Sequence, residues 1–361
     1  MKRRRLGSRA GHGALIALIL VGANFGVARS ATPPHRPARA RRLPPLTQLI
    51  GGRRVRLFPT PALAASYQRQ AGSTNPAAAT NMTYHGGRVM LTDTSYAIYW
   101  APPTLQDGTP TDWGGGYTDL IDRYFGDIGG SGLYANNTQY YQGKKLSKRQ
   151  FIANDSTFGG AYHDSRPYPL EPSSVCRNVY PITDVNAGNC VSDTDIRGEV
   201  AGAIAAMGWP VDKTTEFFVF TAPGEGSCYG GKHPTCAYTA YCAFHSYFKN
   251  AVAPGVPIVY ANMPWADPRY CAGGSAPNSA INATADYTIN VTSHEQIEAV
   301  TDPLINAWYS AGYNEIADKC AWVFGANSFH GGRANQLWNG HPYELQEEWD
   351  NTASACVQQG P

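Results

Sequence analysis

The sequence predicts a mixed α/β domain closed by disulfides, and three observations predict it. Glu216-Phe217-Phe218-Val219-Phe220-Thr221 is a nearly continuous apolar run, as in a strand buried on both faces. Helical spacings alternate along the chain with such runs, which is the pattern of strands layered with helices. Eight cysteines occur in a chain that opens like an exported one. With 361 residues, 43% of them hydrophobic and 12% aromatic, there is material for a large core.

The elements follow in chain order. Met1-Lys2-Arg3-Arg4-Arg5, an apolar run from Ala14 to Val27 and Ala28-Arg29-Ser30 make a basic, apolar and small-residue series, so residues 1–30 are expected to be a secretory signal peptide. The apolar run falls short of the ~20 residues a span needs, so no stable membrane anchor is expected. Residues 31–80 are rich in Pro, Arg and Ala and are expected to be a pro-segment or linker, with the folded domain, 81–361, starting near Met82. Alternation through Ser95-Tyr96-Ala97-Ile98-Tyr99-Trp100 predicts a strand. The spacing over 117–125 predicts a helix, and 195–207 another, opened by an Asp cap and stopped by Gly208 and Pro210. Ile258-Val259-Tyr260 predicts a further strand. A last helix, starting between Ala285 and Ser293, runs to about Thr301 before Pro303 stops it.

The net charge of +2 hides an asymmetry, because arginines crowd the first 56 residues while Glu344, Glu347, Glu348 and Asp350 load the C-terminus. Basic residues confined to a leader and tail give no nucleic-acid footprint, so no nucleic-acid partner is expected. Cys176, Cys190, Cys228, Cys236, Cys242, Cys271, Cys320 and Cys356 form an even set. Export favours disulfides over a zinc knot built from Cys228, His233, Cys236, Cys242 and His245. Eight cysteines allow 105 pairings; proximity favours Cys176 with Cys190, and Cys320 with Cys356 would tie the chain end to the segment after the last helix.

That last helix carries the chemistry. In Ser293-His294-Glu295-Gln296-Ile297-Glu298-Ala299-Val300-Thr301-Asp302, His294 and Glu298 lie one turn apart on one face, and Glu295 follows the first of them. This is HExxH with glutamate for the second histidine, and Asn314-Glu315-Ile316-Ala317-Asp318 supplies two more acids downstream. The spacing makes His294 and Glu298 candidate ligands of one divalent metal, with the downstream acids placed to supply a third. A site of one histidine and two carboxylates is harder and more anionic than a usual zinc site, so zinc is expected first, with manganese or calcium admitted. A structural alternative is a buried hydrogen-bonded and ion-paired cluster of the same residues.

Two resemblances meet at this helix. Tyr84-His85-Gly86-Gly87, Phe218-Val219-Phe220-Thr221-Ala222-Pro223, Cys242-Ala243-Phe244-His245, Thr301-Asp302-Pro303 and the C-terminal cysteines resemble, in order, the phosphate-induced/EXORDIUM-like family of secreted proteins. Plant members of that family are apoplastic and linked to growth responses, and they generally lack the His/Glu pair carried here. Locally, the helix and the Asn314-to-Asp318 stretch resemble the thermolysin-type gluzincin pattern. That resemblance implies a zincin-like layered domain. It further implies His294, Glu298 and Glu315 on the metal, Glu295 as catalytic base, and Asp302 and Asp318 behind the ligands, orienting them.

Together these readings give a secreted, extracellular, metal-dependent and peptidase-like hydrolase acting on an extracellular protein or peptide, with cell-wall material as a further partner. The alternative is a catalytically inert extracellular or cell-wall-associated binding or signalling protein. A carbohydrate-active enzyme is the weakest reading, because the acids gather round one histidine instead of flanking a cleft.

Overall fold

The computed structural model describes residues 46–50, 53–71, 80–170, 189–229 and 235–361. The expected signal peptide and Cys176 lie outside these residues. Numbering only the elements of the central sheet and its helices, the chain runs β1 (Phe58–Pro59), β2 (Asp93–Trp100), α1 (Tyr117–Asp127), β3 (Ser156–Asp164), α2 (Asp193–Met207), β4 (Thr215–Thr221), β5 (Tyr241–Phe248), β6 (Ile258–Met263) and α3 (Ser279–Thr301).

The six strands stand in the order β1-β5-β6-β4-β2-β3. β4 is central and parallel to both β6 and β2, and β2 is parallel to β3. Every residue of β4 is buried, in keeping with its nearly continuous apolar run, and Glu216 is buried with it. β5 turns the other way, antiparallel to β6 with His245 opposite Ala261, and β1 pairs antiparallel with β5. This is the mixed sheet that the sequence predicts.

The helices that pack on the sheet have readable causes. α2 starts on Ser192, whose hydroxyl accepts from the Asp195 N–H while the Asp195 carboxylate accepts from the Ser192 N–H, a reciprocal cap. The sequence reading put an aspartate in the capping role; Asp195 takes the returning half of the box instead. Gly208 ends the helix at φ 64°, a conformation that favours glycine. α3 begins at Ser279, earlier than its periodicity indicates, because Asn282 (φ −156°, ψ 105°) breaks the helix and hides its first turns. From Thr288 to Thr301 every residue is buried, and α3 packs against α1 and against β5 and β6.

Residues 46–71, within the segment assigned to a pro-segment or linker, carry a hairpin (Thr47–Ile50 with Arg53–Arg56), strand β1 and the helix Pro61–Ala71. Val55, Arg56, Leu57 and Phe58 are buried. Disulfides join Cys228 to Cys236, Cys242 to Cys271 and Cys320 to Cys356. The zinc knot is excluded, since all three of its cysteines are oxidised, Cys228 with Cys236 and Cys242 with Cys271. Cys190 is disulfide-bonded, while its expected partner lies outside the described residues. Gly87 abuts Asn306 so closely that a Cβ would stand 2.7 Å from that residue's main chain, and Gly86 sits at φ 102°, a conformation that favours glycine. Among the described residues no helix is long and apolar enough to cross a membrane.

Candidate metal centre

Three elements converge on one buried spot. α3 delivers His294, Glu295 and Glu298; β5 delivers His245; the turn entering the short helix Asp318–Cys320 delivers Glu315 and Asp318. The Cys320–Cys356 disulfide fastens that turn to the chain end, and Cys242–Cys271 fastens the start of β5. The side chains of His245, His294, Glu295, Glu298, Glu315 and Asp318 are all at most 1% exposed.

Glu298 stands between the two histidines. Its Oε1 is 3.2 Å from His294 Nε2, and its Oε2 is 3.7 Å from His245 Nδ1. Glu295 Oε2 lies 3.5 Å from His245 Nδ1, and Glu315 Oε1 lies 3.7 Å from His245 Nε2. Asp318 is tied down at one oxygen: Oδ2 accepts from the Glu315 N–H at 3.0 Å and pairs with Arg56 Nε at 2.6 Å. The other, Oδ1, has no hydrogen-bond partner and is 4.0 Å from His294 Nε2. The Asp318 N–H in turn donates to Glu298 Oε1 at 2.9 Å. Asp302 closes α3, its Oδ1 accepting from the N–H groups of Asn306 and Ala307.

Two overlapping triads therefore bring their donor atoms within 4.8 Å of one another: His294, Glu298 and Asp318, and His245, Glu295 and Glu298. Ligands about 2.0–2.1 Å from a tetrahedral cation stand roughly 3.3 Å apart, so the 3.2 Å His294–Glu298 separation already has that spacing. Both ring nitrogens of His294, His245 Nδ1, Glu295 Oε1, both Glu315 oxygens, Asp302 Oδ2 and Asp318 Oδ1 are buried without hydrogen-bond partners. Orphaned polar atoms are costly in an interior. A cluster of them made of imidazoles and carboxylates fits a divalent cation.

The electrostatics point the same way. Burial pushes the Glu298 and Asp302 carboxyls up to about 7, and it holds Glu295 and Glu315 well above the usual carboxylate range. Burial also raises Asp318, against the pull of Arg56. The same desolvation lowers the pKa of His294, keeping its imidazole in the neutral form a metal requires. The Arg56 guanidinium opposes the rise at three of these acids, Glu298, Glu315 and Asp318.

Of the expected ligands, His294 and Glu298 are brought together, while Glu315 faces His245 and Asp318 stands nearest the third position beside His294. Glu295, the expected base, shares the His245 triad. His245, which the sequence offers only as part of a cysteine cluster, is the largest omission; its strand position gives no sign that it meets α3. Arg56 and Phe58 were also unforeseen. Three polar groups that follow the motif in sequence stand apart from the centre: His341 binds Asp127 at 2.6 Å, His330 contacts Arg333, and Tyr313 is exposed.

The fold and site thus define a disulfide-bonded α/β protein with a buried centre of histidines and carboxylates. Over 264 residues, 67% of the chain and 65% of the relative, it is 30% identical to protein EXORDIUM-like 3 of Arabidopsis thaliana. It is 24% identical to protein EXORDIUM-like 5 of the same plant over 228 residues, 54% of the chain and 61% of that relative. These matches support the EXORDIUM-like family, although the chain spans less than two thirds of either relative's length. No family model and no solved structure matches the chain. The disulfides and these relatives are consistent with an extracellular protein.

Proposed function

We propose that this chain is a secreted EXORDIUM-like protein in which the α3 cluster holds one divalent cation, zinc first, and hydrolyses amide bonds of an extracellular protein or peptide. The observation that carries the reading is the set of donor atoms of His294, Glu298 and Asp318, within 4.8 Å of one another and largely without other partners. The antiparallel strand β5 beside the motif helix supports the zincin-like part of it. His294 and Glu298 would hold the cation, with Asp318 or Glu315 completing the set. A cation bound there lowers the pKa of water and polarises a carbonyl.

The chain's own groups do the remaining work. Glu295 follows the first ligand on α3, and its raised pKa suits a carboxylate that accepts a proton from water and returns it to a leaving amine. His245, 3.5 Å from Glu295, orients that carboxylate. Arg56 fixes Asp318 from behind. A second reading, an inert extracellular or cell-wall-associated binding or signalling protein with a structural cluster, is favoured by the burial of the whole centre. A screen of metal-loaded protein and its Glu295→Gln variant against fluorogenic peptides separates the two. Turnover lost in the variant supports hydrolysis; no turnover by either, or equal turnover by both, contradicts it.

A further inference from the structure

One extended stretch of the chain's own N-terminal part packs against the centre. The ring of Phe58 lies parallel on the His294 imidazole, with centroids 3.8 Å apart and planes 17° off, and its other stacking partner is Trp322 at 4.5 Å. Trp322 Nε1 donates to the Pro59 carbonyl at 3.0 Å. Two residues earlier, Arg56 reaches in to Asp318 at 2.6 Å and donates to Asn314 Oδ1 at 2.5 Å. The backbone between is held as a strand, with Phe58 opposite Ala243 and Pro59 opposite Tyr241 on β5. β5 also carries His245, two residues past Ala243, so a strand laid on this edge runs alongside the cluster.

We propose that this edge of β5 is a binding site for an extended basic-apolar peptide, which residues 54–60 occupy, and that the centre is shut until this segment is displaced. The inference rests on the metal-dependent peptidase reading and adds the class of ligand and the regulation of the same site. Three features recognise the occupant. The edge main-chain groups of β5, which β1 pairs here, accept an added strand, the slot between His294 and Trp322 takes an aromatic ring, and the acidic end at Asp318 takes a guanidinium two residues before it. β1 adds only two residues to the sheet, at its edge; β2 to β6 pair with one another without it. A tethered segment meets its site at a high effective concentration, so a free peptide competes poorly until docking is weakened.

The test uses the full chain and a fluorescent peptide of sequence Arg-Arg-Val-Arg-Leu-Phe-Pro-Thr, that of residues 53–60. A chain bearing Arg56→Glu and Phe58→Asp, with native circular dichroism and a cooperative melt, is expected to bind the peptide with micromolar affinity. The unsubstituted chain is expected to bind at least about 100-fold more weakly, and a peptide with the same two substitutions should not bind. Failure of the folded variant to bind, or equal binding of both peptides, overturns the proposal. Should that variant not fold, the unsubstituted chain cut at a protease sequence placed within 72–79 is used. Exchange of the labelled peptide into the cut protein upholds the site, and no exchange overturns it. Metal content measured on the same samples keeps the questions apart: peptide binding without metal leaves this site standing and sinks the peptidase reading, while metal without peptide binding does the reverse.

Discussion

Phe58 and His294, far apart in sequence, lie face to face with ring centroids 3.8 Å apart, so the best candidate metal ligand is roofed by an aromatic side chain from before Met82. Phe58 is 1% exposed and packs on Trp322 as well. Truncation to alanine removes both stacks and leaves a cavity, which costs about 3–5 kcal/mol for a buried phenylalanine. Phe58→Ala should therefore lower the urea midpoint by that equivalent and strip faster of metal in chelator. Unchanged stability together with unchanged chelator access would show that the stack seals nothing.

Glu295→Gln should leave metal content and melting temperature near those of the parent while removing turnover, because the amide keeps the shape and loses the proton acceptor. Metal analysis and peptide cleavage on one preparation check both halves.

The Cys320–Cys356 bridge spans 36 residues and anchors the turn bearing Glu315 and Asp318. On the loop-entropy account, a closure of that length is worth about 4 kcal/mol. The paired variant Cys320→Ser with Cys356→Ser should melt correspondingly earlier and bind metal more weakly; a calorimetric scan and a metal titration read the two effects.

Asp93 gives a pH dependence away from the centre. Its Oδ2 accepts from Ser95, Ser156 and Gln296, and burial pushes its carboxyl from 3.8 up to about 6, with Glu216 as the neighbouring acid and Tyr124 and Tyr134 nearby. A carboxyl whose folded pKa is raised contributes stability that is complete below its unfolded pKa and is lost as pH climbs through the folded value. Stability should fall between about pH 4 and 6 on this account. Asp93→Asn, which keeps an acceptor and cannot ionise, should flatten that part of the curve in urea melts at a series of pH values. An unchanged slope would remove Asp93 as its source.

The parts of this molecule legible in its sequence are those with a local signature. β4 reads from its nearly continuous apolar run, α2 from its periodicity and glycine stop, and the pairing of His294 with Glu298 from helical geometry. The start of α3 does not read, because Asn282 breaks the period. β1 does not read either, since two residues carry no alternation and Pro/Arg/Ala composition is shared by linkers and by edge strands. The meeting of His245 with Glu295 and Glu298 is a product of strand order, and the pairings Cys228–Cys236 and Cys242–Cys271 are two among many that spacing permits.

The central claim, that the α3 cluster holds a divalent cation, is tested most directly by elemental analysis of dialysed, purified protein beside its His294→Ala variant. The account predicts close to one equivalent of zinc, or of manganese or calcium, in the parent and its loss in a variant that still melts cooperatively. Equal metal in both, or none in the parent after exposure to each of the three ions, would contradict it and leave the histidines and acids as a structural cluster.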